Sequence, residues 1–170
     1  MAGFMTSGAD LLVDAFGRIN EGSAMVVDGL SPADLSHRVA PGANTIGWLV
    51  WHLMRVQDNH VADAAGTDEI WASAGWHKRF GLPFSEKATG YGHSRDDVDT
   101  VHVTAELLVG YAQAVTDVTL RYVQDLSDAD LDRVVDSSWD PPVTLGVRLI
   151  SVIGDDLKHL GQAEYVRGLL

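Results

Sequence analysis

Apolar residues return at helical spacing along four stretches of the chain. In the first, about 7–28, Leu12, Ala15, Phe16, Ile19 and Val26 share one face, and Gly29 offers a stop. The second, about 45–64, follows Asn44 or Thr45 as N-cap and ends before Gly66. The third begins near Ser94, where Ser94-Arg95-Asp96-Asp97 has the form of a capping box. From there Val98, Val101, Ala105, Leu108, Ala112, Val115, Thr119 and Tyr122 alternate spacings of three and four, which predicts an inward stripe about seven turns long. The fourth, about 143–169, follows Pro141-Pro142. No stretch alternates apolar and polar residues as a half-buried strand would. The expected fold class is all-α, a four-helix bundle spanning residues 1–170 as a single domain.

The links between these helices are long, which fits crossover connections better than up-down hairpins. Two of them, 30–44 and 126–142, resemble each other. Leu30-Ser31-Pro32-Ala33-Asp34-Leu35 matches Leu126-Ser127-Asp128-Ala129-Asp130-Leu131 at five of six positions, and each link runs through a proline into the next helix. Either the chain duplicates a helix pair or the short match is a coincidence. The segment 65–93 is the longest irregular one and is rich in aromatic residues and glycine. It reads as a functional loop over a pocket, or as a lid that only covers the core.

Composition narrows the chemistry. Hydrophobic residues make up 46% of the 170, enough for a packed interior. With 24 acidic against 12 basic side chains the formal net charge is −12, so nucleic acid and anionic membrane surfaces are disfavoured as partners. No apolar run approaches the roughly 18 residues of a membrane span, and Met1 to Asp10 lack the basic flank and apolar stretch of a signal peptide. A cytoplasmic location is the expectation. Cysteine is absent, which removes disulfides, thiolate ligands and a cysteine nucleophile; any thiol chemistry must use a thiol from outside. The exposed part of the third helix is free to face solvent or a second subunit in a homodimer.

The fourth helix drives ionisable groups into its own apolar face. On a wheel of about 100° per residue, Asp155, Asp156 and His159 fall on or beside the arc that holds Leu149, Val152, Ile153 and Leu160. An unpartnered buried carboxylate costs several kcal/mol, and a metal ion removes that conflict. Asp155 and His159, four residues apart, can reach one point above the helix. On the second helix His52 sits among Trp48, Leu49 and Val56 and also points inward. Two imidazoles and a carboxylate from two helices match a three-ligand catalytic zinc site or an iron facial triad. The competing reading is a satisfied core histidine and a structural Asp–His hydrogen bond. Asp156 is an alternative ligand, or an acceptor for an imidazole N–H. His60 lies two turns after His52 but round the helix from it, and is left out. His37, His77, His93 and His102 fall in loops or on the surface, with His77 and His93 as candidates for the pocket mouth.

Thr45-Ile46-Gly47-Trp48-Leu49-Val50-Trp51-His52-Leu53 and Asp155-Asp156-Leu157-Lys158-His159-Leu160-Gly161-Gln162 resemble the second- and fourth-helix motifs of the DinB-like metal-binding bundle superfamily. Many members carry histidine where this chain has Asp155. A carboxylate there, with the loop Thr89-Gly90-Tyr91-Gly92-His93-Ser94, is similar to the actinobacterial branch that contains the mycothiol S-transferases. The resemblance implies His52, Asp155 and His159 as ligands, usually of zinc, and mycothiol as thiol cosubstrate for detoxifying transfer to an electrophile. Trp71, Trp76 and Tyr91 of the long loop are the residues expected to shape the pocket and bind the cosubstrate. A mycothiol-dependent isomerase, a metal-dependent hydrolase and a non-catalytic metal- or ligand-binding bundle are the alternatives.

Overall fold

The computed structural model describes residues 7–170. The expectation of no signal peptide rests mostly on residues 1–6, which lie outside the described ones. Four long helices carry the fold: α1 (Gly8–Val27), α3 (Ile46–Ala65), α7 (Ala105–Val123) and α9 (Leu145–Arg167). Each begins at a Ser or Thr whose hydroxyl accepts from a backbone N–H of the first turn: Ser7, Thr45, Thr104 and Thr144. Between them lie the short helices α2 (Pro32–Leu35), α4 (Ile70–Ser73), α5 (Trp76–Phe80), α6 (Arg95–Asp99) and α8 (Asp128–Leu131), with a small hairpin of β1 (Val134–Asp136) and β2 (Val143–Thr144).

Side-chain contacts fix the directions of the four long helices. His60 meets Arg148 and His52 meets His159, so α3 and α9 are antiparallel neighbours. Asn20 bonds Gln113 while Val27 and Ala105 share a cleft, so α1 and α7 are antiparallel as well. Arg55 bonds Tyr111 and Ala64 bonds Tyr122, which makes α3 and α7 parallel. Arg167, two turns past Leu160, reaches the carbonyls of Met25 and Val26, one turn past Gly22, which Leu160 touches; α1 and α9 are therefore parallel. The helices therefore run up, down, down, up: the first and third links cross a bundle end, while the link between parallel α3 and α7 runs the length of the bundle. Phe16, Ile19, Leu53, Leu108, Val115 and Leu149 fill the core they enclose.

The two similar links fold alike. Ser31 and Asp34 close a capping box over α2, and Ser127 and Asp130 do the same over α8. Each then leads to a threonine-capped helix. With α1 set against α7 and α3 against α9, the chain is arranged as two related helix pairs.

Two expectations are corrected. The third apolar stripe is not one helix. Ser94 caps only α6, and the chain is non-helical until Thr104 caps α7. Val101 and Val103 are buried on either side of exposed His102, a period of two hidden inside spacings that also suit a helix. Gly47 makes room for this segment, since a Cβ there would stand 3.0 Å from Val103 Cγ2 and 3.1 Å from the Leu35 carbonyl. The hairpin was not expected either; strands of three and two residues are too short to show alternation. Among the described residues, no helix is long and apolar enough to cross a membrane.

The capping boxes generate a pH prediction. Hydrogen bonds from Ser31 and Ser127 hold the Asp34 and Asp130 carboxyls below their ordinary value of 3.8. Their contribution to stability is thus present above 3.8 and lost as pH falls through the lower folded-state values. Urea unfolding of Asp34→Asn and Asp130→Asn should show lower stability than wild type at neutral pH, with the curves converging in acid. An offset independent of pH would contradict this.

Candidate metal centre

The antiparallel register of α3 and α9 sets His52 opposite Asp155 and His159. One donor atom from each lies within 4.8 Å of the other two. His159 Nε2 is 3.8 Å from Asp155 Oδ2, and the two imidazole centroids are 4.7 Å apart with their planes at 73°. A tetrahedral ion with bonds of about 2.0–2.1 Å places its ligands roughly 3.3 Å apart, so closing this set needs movements of about an ångström. His52 is buried, while Asp155 and His159 remain partly open to solvent.

Both rings are oriented by carbonyl oxygens. His52 Nδ1–H donates to Thr89 O at 2.5 Å, and His159 Nδ1–H donates to Gln162 Oε1 at 3.0 Å. A carbonyl can only accept, so each Nδ1 carries a proton and Nε2 is the ring nitrogen left to bind an ion. Trp48 stacks on His52 at 4.6 Å. Burial holds His52 below its ordinary pKa, the neighbouring His159 adds to that, and the Thr89 bond opposes it only in part. Two imidazole Nε2 atoms and one carboxylate oxygen come together, a donor set that fits a divalent metal ion.

The loop that supplies Thr89 is held firmly. Gly90, at φ +98°, presses on the site: a Cβ there would lie 2.6 Å from His52 Nδ1 and 3.1 Å from the Trp48 and Trp51 rings. Arg55, one turn after His52, is fully buried and donates from Nε to Ala88 O at 3.1 Å. Its other donors reach Glu69 at 2.6 Å, and Asp58 and Tyr111 at 3.3 Å. Asp58 accepts from the backbone N–H groups of Ile70 and Trp71 and from the Tyr111 hydroxyl. Burial pushes the Asp58 carboxyl up, against the pull of those hydrogen bonds and of Arg55. One charged network thus ties α4, the Thr89 loop and α7 to α3.

The structure separates the other candidates. Asp156 is fully buried and neither of its oxygens has a hydrogen-bond partner. It is neither a member of the ligand group nor an acceptor for the imidazoles, whose N–H groups go elsewhere. Burial, reinforced by the charge of Asp155, drives its pKa well upward. Trp71 and Trp76 pack with Phe80 around Tyr111, so they anchor the long loop in the core and do not face the metal centre. Tyr91 is 94% exposed and lines the cavity beside the site. His93 accepts from Trp48 Nε1–H at 3.2 Å and stacks on Trp51, while His77 packs against Trp71. His37 and His102 are exposed. His60, left out on its wheel angle, lines the cavity with Arg148. Thr89 acts through its carbonyl, which no side-chain pattern reveals; the signal for this contact was Gly90.

Comparison with known proteins gives the family and the fold. The family model of the DinB superfamily matches residues 16–163. A crystal structure of a conserved protein from Enterococcus faecalis is similar at 29% identity and a TM-score of 0.90, covering 97% of this chain and 98% of that one. No curated protein matches the sequence.

Two substitutions test the orienting contacts. Gly90→Ala should displace the Thr89 carbonyl, and Gln162→Leu should free the His159 ring. Each is expected to weaken zinc binding by about 10–100-fold in calorimetric titration. Unchanged affinity in both would show that the carbonyls do not orient the ligands. Separately, Arg55→Ala should cost about 3–5 kcal/mol in urea unfolding, because Asp58 then lies buried without its cation.

Proposed function

We propose that this chain, which belongs to the DinB superfamily, is a metal-dependent thiol transferase that conjugates a small thiol, mycothiol in the nearest reading, to an electrophile. One observation carries the reading. Two imidazoles in the same tautomer and one carboxylate aim at a single point with an open side, in a chain that has no cysteine of its own. Bound there, a divalent metal such as zinc supplies the Lewis acidity that lowers a thiol's pKa from about 8.5 and favours the thiolate at neutral pH.

The chain's own residues do the rest. His52 and His159 donate neutral nitrogen and add no charge. Asp155 brings one negative charge, leaving a net positive centre that favours an anionic sulfur. Thr89 and Gln162 keep both rings from turning. Beside the centre a cavity of about 450 Å³, with His52 and Asp155 in its wall, has room for the second substrate. Val56 and Val152 give it apolar sides, and exposed Tyr91 stands at its rim. Holding thiol and electrophile in one cavity converts their encounter into a reaction of fixed neighbours.

Purified protein with zinc, mycothiol and a fluorogenic alkyl chloride should form conjugate above background, with glutathione and cysteine slower. His52→Ala, Asp155→Ala and His159→Ala should fall to the uncatalysed rate. Turnover without any thiol would instead favour a hydrolase with water as nucleophile. Rearrangement of a substrate with the thiol regenerated would favour an isomerase. No turnover with any of these would leave a metal-binding bundle.

A further inference from the structure

The cavity beside the metal centre has a second end. Arg148 stands seven residues before Asp155 on α9, and His60 eight residues after His52 on α3, so both lie about 10–12 Å along the helices from the ligands. Both line the same cavity, with Asn59 and Ser151 between. Counted from the threonine caps Thr45 and Thr144, His60 holds on α3 the place that His159 holds on α9. Val56 likewise holds that of Asp155, and Ser151 that of His52. The far end is thus the counterpart of the metal centre across the two related helix pairs. Val56 and Ser151 stand there in the places of the carboxylate and one imidazole, so it cannot hold a second metal in the same way.

What stands there instead is a cation spent on a weak partner. One Arg148 nitrogen donates to Asp136 Oδ2 at 3.0 Å and the other to His60 Nδ1 at 3.2 Å. The guanidinium Nε is buried and has no partner. A guanidinium can only donate, so His60 is the acceptor and is neutral; burial and the Arg148 charge both hold its pKa below the ordinary value. The Arg148 charge is answered by the Asp136 carboxylate on one side only; its second nitrogen is held by a neutral imidazole and its Nε by nothing, so the guanidinium has donors to offer an anion in the cavity. A substrate carboxylate could take the guanidinium donor now given to His60 and accept from the imidazole as well.

We propose that the far end of the cavity, built by Arg148 and His60, is a subsite for a carboxylate carried by the substrate whose reacting atom lies at the metal centre. This deepens the thiol-transfer reading and rests on its metal centre. Asp136 competes with the substrate for Arg148 and sets how tightly the anion binds.

The test uses Co(II)-loaded protein and thiols that span the cavity, read by the sulfur-to-cobalt charge-transfer band. Mercaptohexanoate and mercaptooctanoate would be compared with the mercaptoalcohols of equal length, and mercaptoacetate with mercaptoethanol. The long carboxylates should bind about 10-fold or more tightly than their alcohols, and mercaptoacetate should gain no such advantage. Arg148→Gln should abolish the advantage while the alcohols bind as before. Asp136→Asn should enlarge it by freeing the guanidinium, whereas loss of a merely structural ion pair would not tighten binding. Equal affinity of long carboxylates and alcohols, with the sulfur band present, would overturn the subsite and leave the metal centre standing. Absence of any cobalt spectrum in the folded protein would overturn both.

Discussion

Arg55 bears a full charge where water does not reach, and much of the molecule is arranged to answer it. A buried guanidinium without partners would cost several kcal/mol. Here Asp58, Glu69, Tyr111 and the Ala88 carbonyl surround it. Those partners come from α3, α7 and both ends of the long aromatic segment, so satisfying one cation fixes the loop on the bundle. The next carbonyl after Ala88 is the one that accepts the hydrogen bond from His52 Nδ1–H. The tautomer of a metal ligand is thereby connected to a network in the hydrophobic core, one helical turn away on the same helix.

The site follows from the two-pair architecture. Antiparallel packing of α3 and α9 lays two equivalent helix faces against each other and leaves a cavity between them. At one end the faces present His52, Asp155 and His159; at the other their counterparts are Ser151, Val56 and His60. Different side chains at matching positions of the two helices give one end a metal's donors and the other a guanidinium and an imidazole. The carbonyl contacts at the metal end turn both rings toward the ligating nitrogen, so ring orientation is set in advance and only the last closure is left to an ion.

Much of this was legible in the sequence, for definite reasons. Helical periodicity marked three of the four long helices well, because each covers several turns and starts at a threonine or serine cap. His52, Asp155 and His159 stood out because ionisable groups on an apolar stripe conflict with burial. The third stripe misled because Val101 and Val103, buried on either side of exposed His102, satisfy a period of two within spacings that a helix also allows. Trp71 and Trp76 read as pocket residues, yet large aromatic rings in a long loop serve equally well to anchor it, and here they pack around Tyr111. Thr89 was invisible because its function lies in the backbone. His60 and Arg148 become neighbours only once the register of α3 on α9 is known.

In the proposed function, His52, Asp155 and His159 hold a divalent ion with a position left for a thiol. X-ray absorption of the zinc-loaded protein, before and after adding mycothiol, tests it most directly. The expected spectrum has a nitrogen and oxygen shell at about 2.0–2.1 Å containing two imidazoles, joined on addition of the thiol by one sulfur at about 2.3 Å. A first shell without two imidazoles, or one that gains no sulfur, would contradict it.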